Sequence, residues 1–511
     1  KEQPEGRIDY DPYFRNERAL FGYYPKFVPN YVSFDLNGNA YIKHGGIIET
    51  VDERGRWYYS DISNFVGEYV QKELHLTQFR YRAAGQLDET RIVFDSDGDA
   101  YMMFVVQGYR DGKDTRRGVL AYSRDNLKTW QMYTLPAEMN RFEKQDTFNR
   151  QATAGPPVIL CSGSNNDAGK NVGGTLLIPE KLPDGTLKLE PKKFAPDNVI
   201  CFAAHSGDGN FCVSVNDKVY IVYSLNYPDD LDPSKRENQP PIPESHPMND
   251  TEKFQFPYIW NKTETVYSKT GTPTFAISYD RKTGTFSESH FVAYGGHMSS
   301  DGHNWATITV DSEGYFHVIC MGHSDPFAYA RSAKPYDITE WTDHQLVSEN
   351  DDTWVSYAGL WTDQNDTIFS ANRDLQYDMH CDIILAKKKK GENWTKTPLV
   401  HIDKADYNVW LQKMALNTKN GKMFVTYNAG VSSQTDMVKE EMLAYFYNRP
   451  ELEKGNMIAF KNDSSYPKGA TCGTGKSVRR VSGYWGDMCI LVSDDSGETW
   501  RIAVTEDFIN K

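Results

Sequence analysis

The chain has no apolar run of about 18 residues, so no segment reads as a membrane-spanning helix. It has no C-x-x-C pair. Its seven cysteines are scattered at 161, 201, 212, 320, 381, 472 and 489, which argues against a zinc knuckle or a thioredoxin-like motif. Most read as small buried hydrophobes, and Cys472 with Cys489, flanking a Gly-rich loop, is a candidate disulfide. Basic blocks are missing apart from "AKKKKG" (386–391), read as a solvated turn between strands. With a formal charge of −14, this argues against a nucleic-acid partner. Helical periodicity is scarce, with one short helix expected near 432–444. The N-terminal "KEQPEGRIDYDPYF" is polar, as a secreted chain is after signal removal, so we expect a secreted, periplasmic or cell-surface monomer.

What the chain does have is β-structure in repeats. At 511 residues it exceeds a single core. Its 32 tyrosines and 11 tryptophans suit strands and carbohydrate-contacting surfaces. A pattern of apolar alternation, Asp-x-x-Gly and renewed alternation recurs in "YVSFDLNGNAYIKH" (31–44), "RIVFDSDGDAYMMFV" (91–105) and "ATITVDSEGYFHVIC" (306–320). Looser copies begin at 212, 359 and 414, and weaker hairpins such as 118–136 and 274–292 follow. "SDDSGETW" (493–500) fits the Asp-box pattern, in which Asp pins a turn and Trp packs between blades; "SRDNLKTW" (123–130) is a degenerate copy.

Four-stranded units of roughly 45–60 residues indicate an all-β fold, a β-propeller of antiparallel blades. We expect seven blades, with eight the alternative, in one domain over 1–511 whose N- and C-terminal segments close a shared blade. Two packed β-sandwiches are the rival architecture. The Pro-rich 239–247 reads as a surface insertion framing a cleft.

In a propeller, the residue before an innermost strand and the residue after the next strand share one face near the axis. His303 and His323 form such a pair, and Tyr357 and Arg373 are its equivalents one unit on. Neighbouring units offer His205, Asn226–Tyr227, Gln412–Lys413, Tyr427–Asn428, Arg91 and Gln107–Tyr109. Substrate-binding candidates are therefore His205, Asn304, Arg91, Arg331 and Tyr427. This rim is poor in the carboxylate pair of glycoside hydrolysis. It also lacks the three central arginines of a sialidase. His, Tyr and Arg instead suit β-elimination from a uronic acid, with a cation neutralising the carboxylate and a tyrosine moving the protons.

The stretch "SDGHNWATITVDSEGYFHVICMGHSDPFAYARS" (300–332) resembles the BNR-repeat-containing propeller proteins, with the pattern HN…I-x-x-D-x-x-G-Y-x-H-V…H…Y-x-R-S. That group includes ulvan lyases and lyases cleaving rhamnose-α-1,4-glucuronate bonds. The resemblance is best over 200–450. It implies seven blades, catalytic roles for His303, His323, Tyr357 and Arg373, with Tyr357 as acid/base, and an acidic polysaccharide substrate. It also implies a bound metal ion, often calcium, and no organic cofactor. "DSDGDA" (95–100) is acidic enough for calcium, although a polar hairpin turn at the far face is the simpler reading. A hydrolase of BNR type and a non-catalytic glycan-binding propeller are the alternatives.

Overall fold

The computed structural model describes residues 30–44, 47–81, 91–143, 155–165, 170–197, 199, 201, 209–225, 240–241, 256–260, 264–268, 272–295, 305–320, 327–347, 354–375, 381–400, 409–432 and 483–510. Seven antiparallel sheets succeed one another at 30–61, 77–134, 139–193, 212–295, 306–346, 354–400 and 409–502, named blades 1 to 7. Each has four strand positions filled in chain order. In blades 2, 4 and 6 one position is filled by two short strands pairing with the same neighbour. The fold is a seven-bladed β-propeller, as the repeats predict.

Period-two alternation builds the seams. In blade 5 the strand Ala306–Val310 sends Ala306, Ile308 and Val310 into a cluster shared with blade 4. Full burial of Ile308 or Val310 contributes ~1.5–3 kcal/mol each. Thr307 and Thr309 face the other way and tie neighbouring innermost strands. The backbone N–H of Asn210 in blade 4 donates to Thr307 Oγ1 at 2.9 Å, and the hydroxyls of Thr309 and Thr362 in blade 6 meet at 2.8 Å.

The repeated aspartate is a turn device. Asp35, Asp95, Asp311 and Asp363 each accept backbone N–H bonds at 2.8–3.1 Å within their own hairpin turns. Such a side chain mimics a backbone turn. Gly314 follows at φ +89°, where an added Cβ would lie 2.4 Å from the Tyr336 ring. The Asp boxes behave alike: Asp495 accepts from Thr499 N–H at 2.9 Å, and Asp125 from Thr129 N–H at 2.9 Å. The degenerate copy puts Leu127 at φ +65° where the other has Gly497. A third, longer turn, Ser332 to Trp341, went unread in the sequence. Its indole donates to Ile338 O three residues back, as Trp500 does to Gly497 O.

Two expectations are corrected. The terminal segments do not share a blade: among the described residues, 30–61 and 483–502 lie in separate sheets. The ring closes by packing of Val32, Ala40 and Ile42 against Ala415, Phe424 and Val492, with Phe508 stacked on Phe424 at 5.3 Å and edge-on to Trp57 at 5.7 Å. The lysine run is an exposed turn between strands at 389–391, as expected, but Lys387 and Lys388 belong to the strand before it. Lys387 meets Glu498 of blade 7 at 2.7 Å, and Lys390 meets Glu313 of blade 5 at 2.6 Å. The described α-helix is Ser63–Lys72, between blades 1 and 2; the helix expected near 432–444 lies outside the described residues apart from Ser432, which ends a strand. The two-stranded hairpin 256–268 lies between the second and third strands of blade 4; of the Pro-rich 239–247 only Pro240 and Pro241 are among the described residues.

Candidate functional site

The hairpin register decides which chain ends meet. Ala306 faces Cys320 and Trp354 faces Leu375, so the segments before these innermost strands and after their partners emerge at one end of the ring, the entry end. Tyr357 does not precede its innermost strand, as expected, but follows the short strand Trp354–Ser356, and Arg373 lies within the strand Ile368–Leu375, opposite Ser356. His303, Asn304, His323 and His205 lie outside the described residues, as do Asn226–Tyr227 and Cys472.

Tyr357 and Arg373 come together. The Arg373 guanidinium carbon lies 4.3 Å from the centre of the Tyr357 ring, and the two residues are 1% and 2% exposed, arginine first. The Trp305 indole, contributed by blade 5 directly after His303–Asn304, stacks on Tyr357 with centroids 6.3 Å apart. From blade 7, Gln412 Nε2 donates to the Tyr357 carbonyl at 2.9 Å. Tyr357 has φ +64°, a left-handed backbone that costs a bulky residue ~1–3 kcal/mol. Three blades thus hold a strained tyrosine beside a buried cation. Such a pair can carry a proton on the phenol and grip a carboxylate with the guanidinium.

The other predicted residues go elsewhere. Arg91 lies in blade 2, but its Nη2 donates to Met414 O in blade 7 at 2.9 Å, reaching past blade 1. It joins Lys43 and Lys413 around the Tyr31 ring, at 5.9, 5.7 and 5.4 Å respectively. Arg91 is therefore a tie between blades near the entry end. Tyr427 packs in the core between blades 6 and 7. Arg331 lies towards the far end of its strand, opposite His317, with its guanidinium 3.5 Å from the centre of the Tyr315 ring.

The far end of blade 5 also absorbs much of the signature. His317 Nε2 meets Asp311 Oδ2 at 3.2 Å and its Nδ1 meets the Tyr329 hydroxyl at 2.7 Å. Burial holds the His317 pKa below its ordinary value, against the pull of Asp311. Burial opposes the charge on Asp311, yet the His317 bond and the Tyr315 N–H outweigh it and hold that pKa down. Burial pushes the Tyr329 phenol far up. A neutral His317 then donates from Nε2 to Asp311 and accepts from Tyr329 at Nδ1. These motif residues buttress the blade. Asp374 and Asp382, which sequence reading missed, stand directly opposite each other in blade 6, both buried, with Asp374 next to Arg373 in the strand and so facing the other side of the sheet. Nothing in the local pattern marked them.

Residues 260–457 match the family described as BNR repeat-containing. No curated protein matches the chain. Among solved structures, an ulvan lyase of a polysaccharide lyase family is 11% identical, over 80% of this chain and 92% of that one, with a TM-score of 0.42. An α-L-arabinanase from Penicillium chrysogenum complexed with arabinobiose is 12% identical, over 67% of this chain and 88% of that one, with a TM-score of 0.37. A sialidase from Streptococcus pneumoniae is 10% identical, over 80% of this chain and 66% of that one, with a TM-score of 0.35.

Proposed function

We propose that this propeller is a carbohydrate-active enzyme that cleaves a uronic-acid-containing glycan, of rhamnose–glucuronate type, by β-elimination. The observation that carries the reading is the Arg373 guanidinium held on the Tyr357 ring at the entry end. Arg373 pairs with the uronate carboxylate and offsets the charge that develops on it as the C5–H bond breaks. Tyr357 takes that proton and delivers a proton to the departing O4. The C4–O bond breaks, and a C4=C5 double bond remains in the product. His303 and His323 carry over from the resemblance as the groups completing charge neutralisation.

Hydrolysis is the second reading, favoured by Asp374 and Asp382. Retaining glycosidases act through a pair of carboxyl groups ~5–5.5 Å apart, and Asp374 and Asp382 are directly opposed on neighbouring strands. The test is a screen of uronic-acid polysaccharides read for both new reducing ends and ultraviolet absorbance of an unsaturated uronate. Elimination gives both, hydrolysis gives ends alone, and binding without either marks a non-catalytic propeller.

A further inference from the structure

The acidic turn in the innermost hairpin of blade 2 has the composition of a calcium loop, and the resemblance leads one to expect a metal in this fold. Asp95, Asp97 and Asp99 each bring a carboxylate oxygen within 4.8 Å of the others. The space between them is already filled. Lys181 Nζ lies 2.7 Å from Asp95 Oδ2, 2.8 Å from Asp97 Oδ2 and 2.6 Å from Asp99 Oδ2. An ammonium has three donors, and here it has three carboxylate acceptors. The same Asp95 and Asp99 oxygens accept from Tyr101 and Tyr122 hydroxyls at 2.8 and 2.6 Å. Asp95 Oδ1 is taken by the Asp97 and Asp99 backbone N–H groups. Calcium needs six to eight free oxygens at about 2.3–2.6 Å, and this turn does not offer them.

We infer that Lys181 is the resident cation of this turn: a tethered ammonium, carried by the short blade 3 hairpin Glu180–Lys181/Leu187–Lys188, that excludes divalent metal and clamps blade 3 to blade 2. A covalently attached cation stands where a diffusible one would otherwise sit. The seam then holds whatever the calcium concentration outside, and a divalent site is latent beneath the lysine.

Calcium chloride titration and thermal unfolding of the full chain test this. Asp97→Asn, at an exposed position, should leave the parent protein's response to calcium and to chelator unchanged. Lys181→Met should lower Tm and gain a calcium response in the range of weak sites, ~10⁻⁴–10⁻³ M; adding Asp97→Asn to that variant should remove the gain. A parent chain whose Tm falls on chelation, with the fall abolished by Asp97→Asn, would overturn the inference. So would a folded Lys181→Met chain that melts like the parent with and without calcium. If Lys181→Met does not fold, the parent and Asp97→Asn comparison decides alone.

Discussion

The carbonyl of Tyr357 accepts a hydrogen bond from the Gln412 side chain, across the seam between blades 6 and 7. The bond reaches the backbone of Tyr357, the one candidate among the described residues with a left-handed conformation. Gln412→Leu removes that hydrogen bond, at a cost of ~0.5–1.5 kcal/mol, and frees the ring to drift from Arg373. Turnover should fall roughly 10- to 100-fold, since small misplacements carry that penalty, while KM changes little. Steady-state kinetics on a cleaved polysaccharide checks it; unchanged kcat would detach the backbone of Tyr357 from catalysis.

Tyr357→Phe keeps the ring between Trp305 and Arg373 and removes only the hydroxyl. Binding and fold should survive while turnover falls by roughly two to four orders of magnitude. Arg373→Lys should harm binding and rate together, because an ammonium lacks the planar two-point grip on a carboxylate. His205→Ala, outside the signature, should cost less than either. Near-normal turnover in Tyr357→Phe would move the base to a histidine.

Acid should loosen blade 5 in two steps. His317 has a folded pKa below its ordinary 6.5, so the unfolded chain binds the extra proton first. Its contribution is complete above about pH 6.5 and declines as pH falls below that value. Asp311, with a depressed folded pKa, contributes above its ordinary 3.8 and loses that as pH falls through the folded value. Denaturant midpoints measured against pH should show both steps. His317→Gln should abolish the upper one and shrink the lower, since His317 helps hold the Asp311 pKa down, and an unaltered upper step would assign it to another group.

Gly314 is tested by Gly314→Ala. Tyr336, 41% exposed, can swing away from the new methyl, so the residual cost is that of a φ near +89°. A left-handed L-residue costs roughly 1–2 kcal/mol. The midpoint should drop accordingly with activity per folded molecule retained; no drop would mean that the turn relaxes.

The hairpins were legible because their cause is local: an aspartate that closes its own turn can be read from four or five residues. The pairing of Tyr357 with Arg373 was legible for a related reason, since both are fixed by one hairpin's register. Arg331 was misplaced because a motif gives residue types without saying which end of a strand each occupies. Lys181 was invisible. It meets its carboxylates from 82 residues or more along the chain, and only the packing of two blades brings it there. The shared blade was expected because a common strand ladder is a familiar way to close a ring, yet here apolar packing and a few side-chain hydrogen bonds, such as Asn417 Nδ2 to Gly38 O at 3.2 Å, close it.

That closure makes the propeller a chain of hinges with one joint fastened by side chains alone. Six seams have the polypeptide running from one blade to the next, whereas blades 7 and 1 meet through a patch of apolar residues, the wedge of Phe508 and the side-chain bonds of Asn417 to Gly38 O and Asn510 to Asn37 O, with Asp507 held by hydrogen bonds from Arg501 at 2.6 and 2.7 Å. The ring therefore has a built-in zip, and opening should begin there. Amide exchange in strands 30–34 and 423–432 should outpace that of the blade 5 strands, and Phe508→Ala should widen the difference. Uniform exchange around the ring would show that the seam is as tight as the rest.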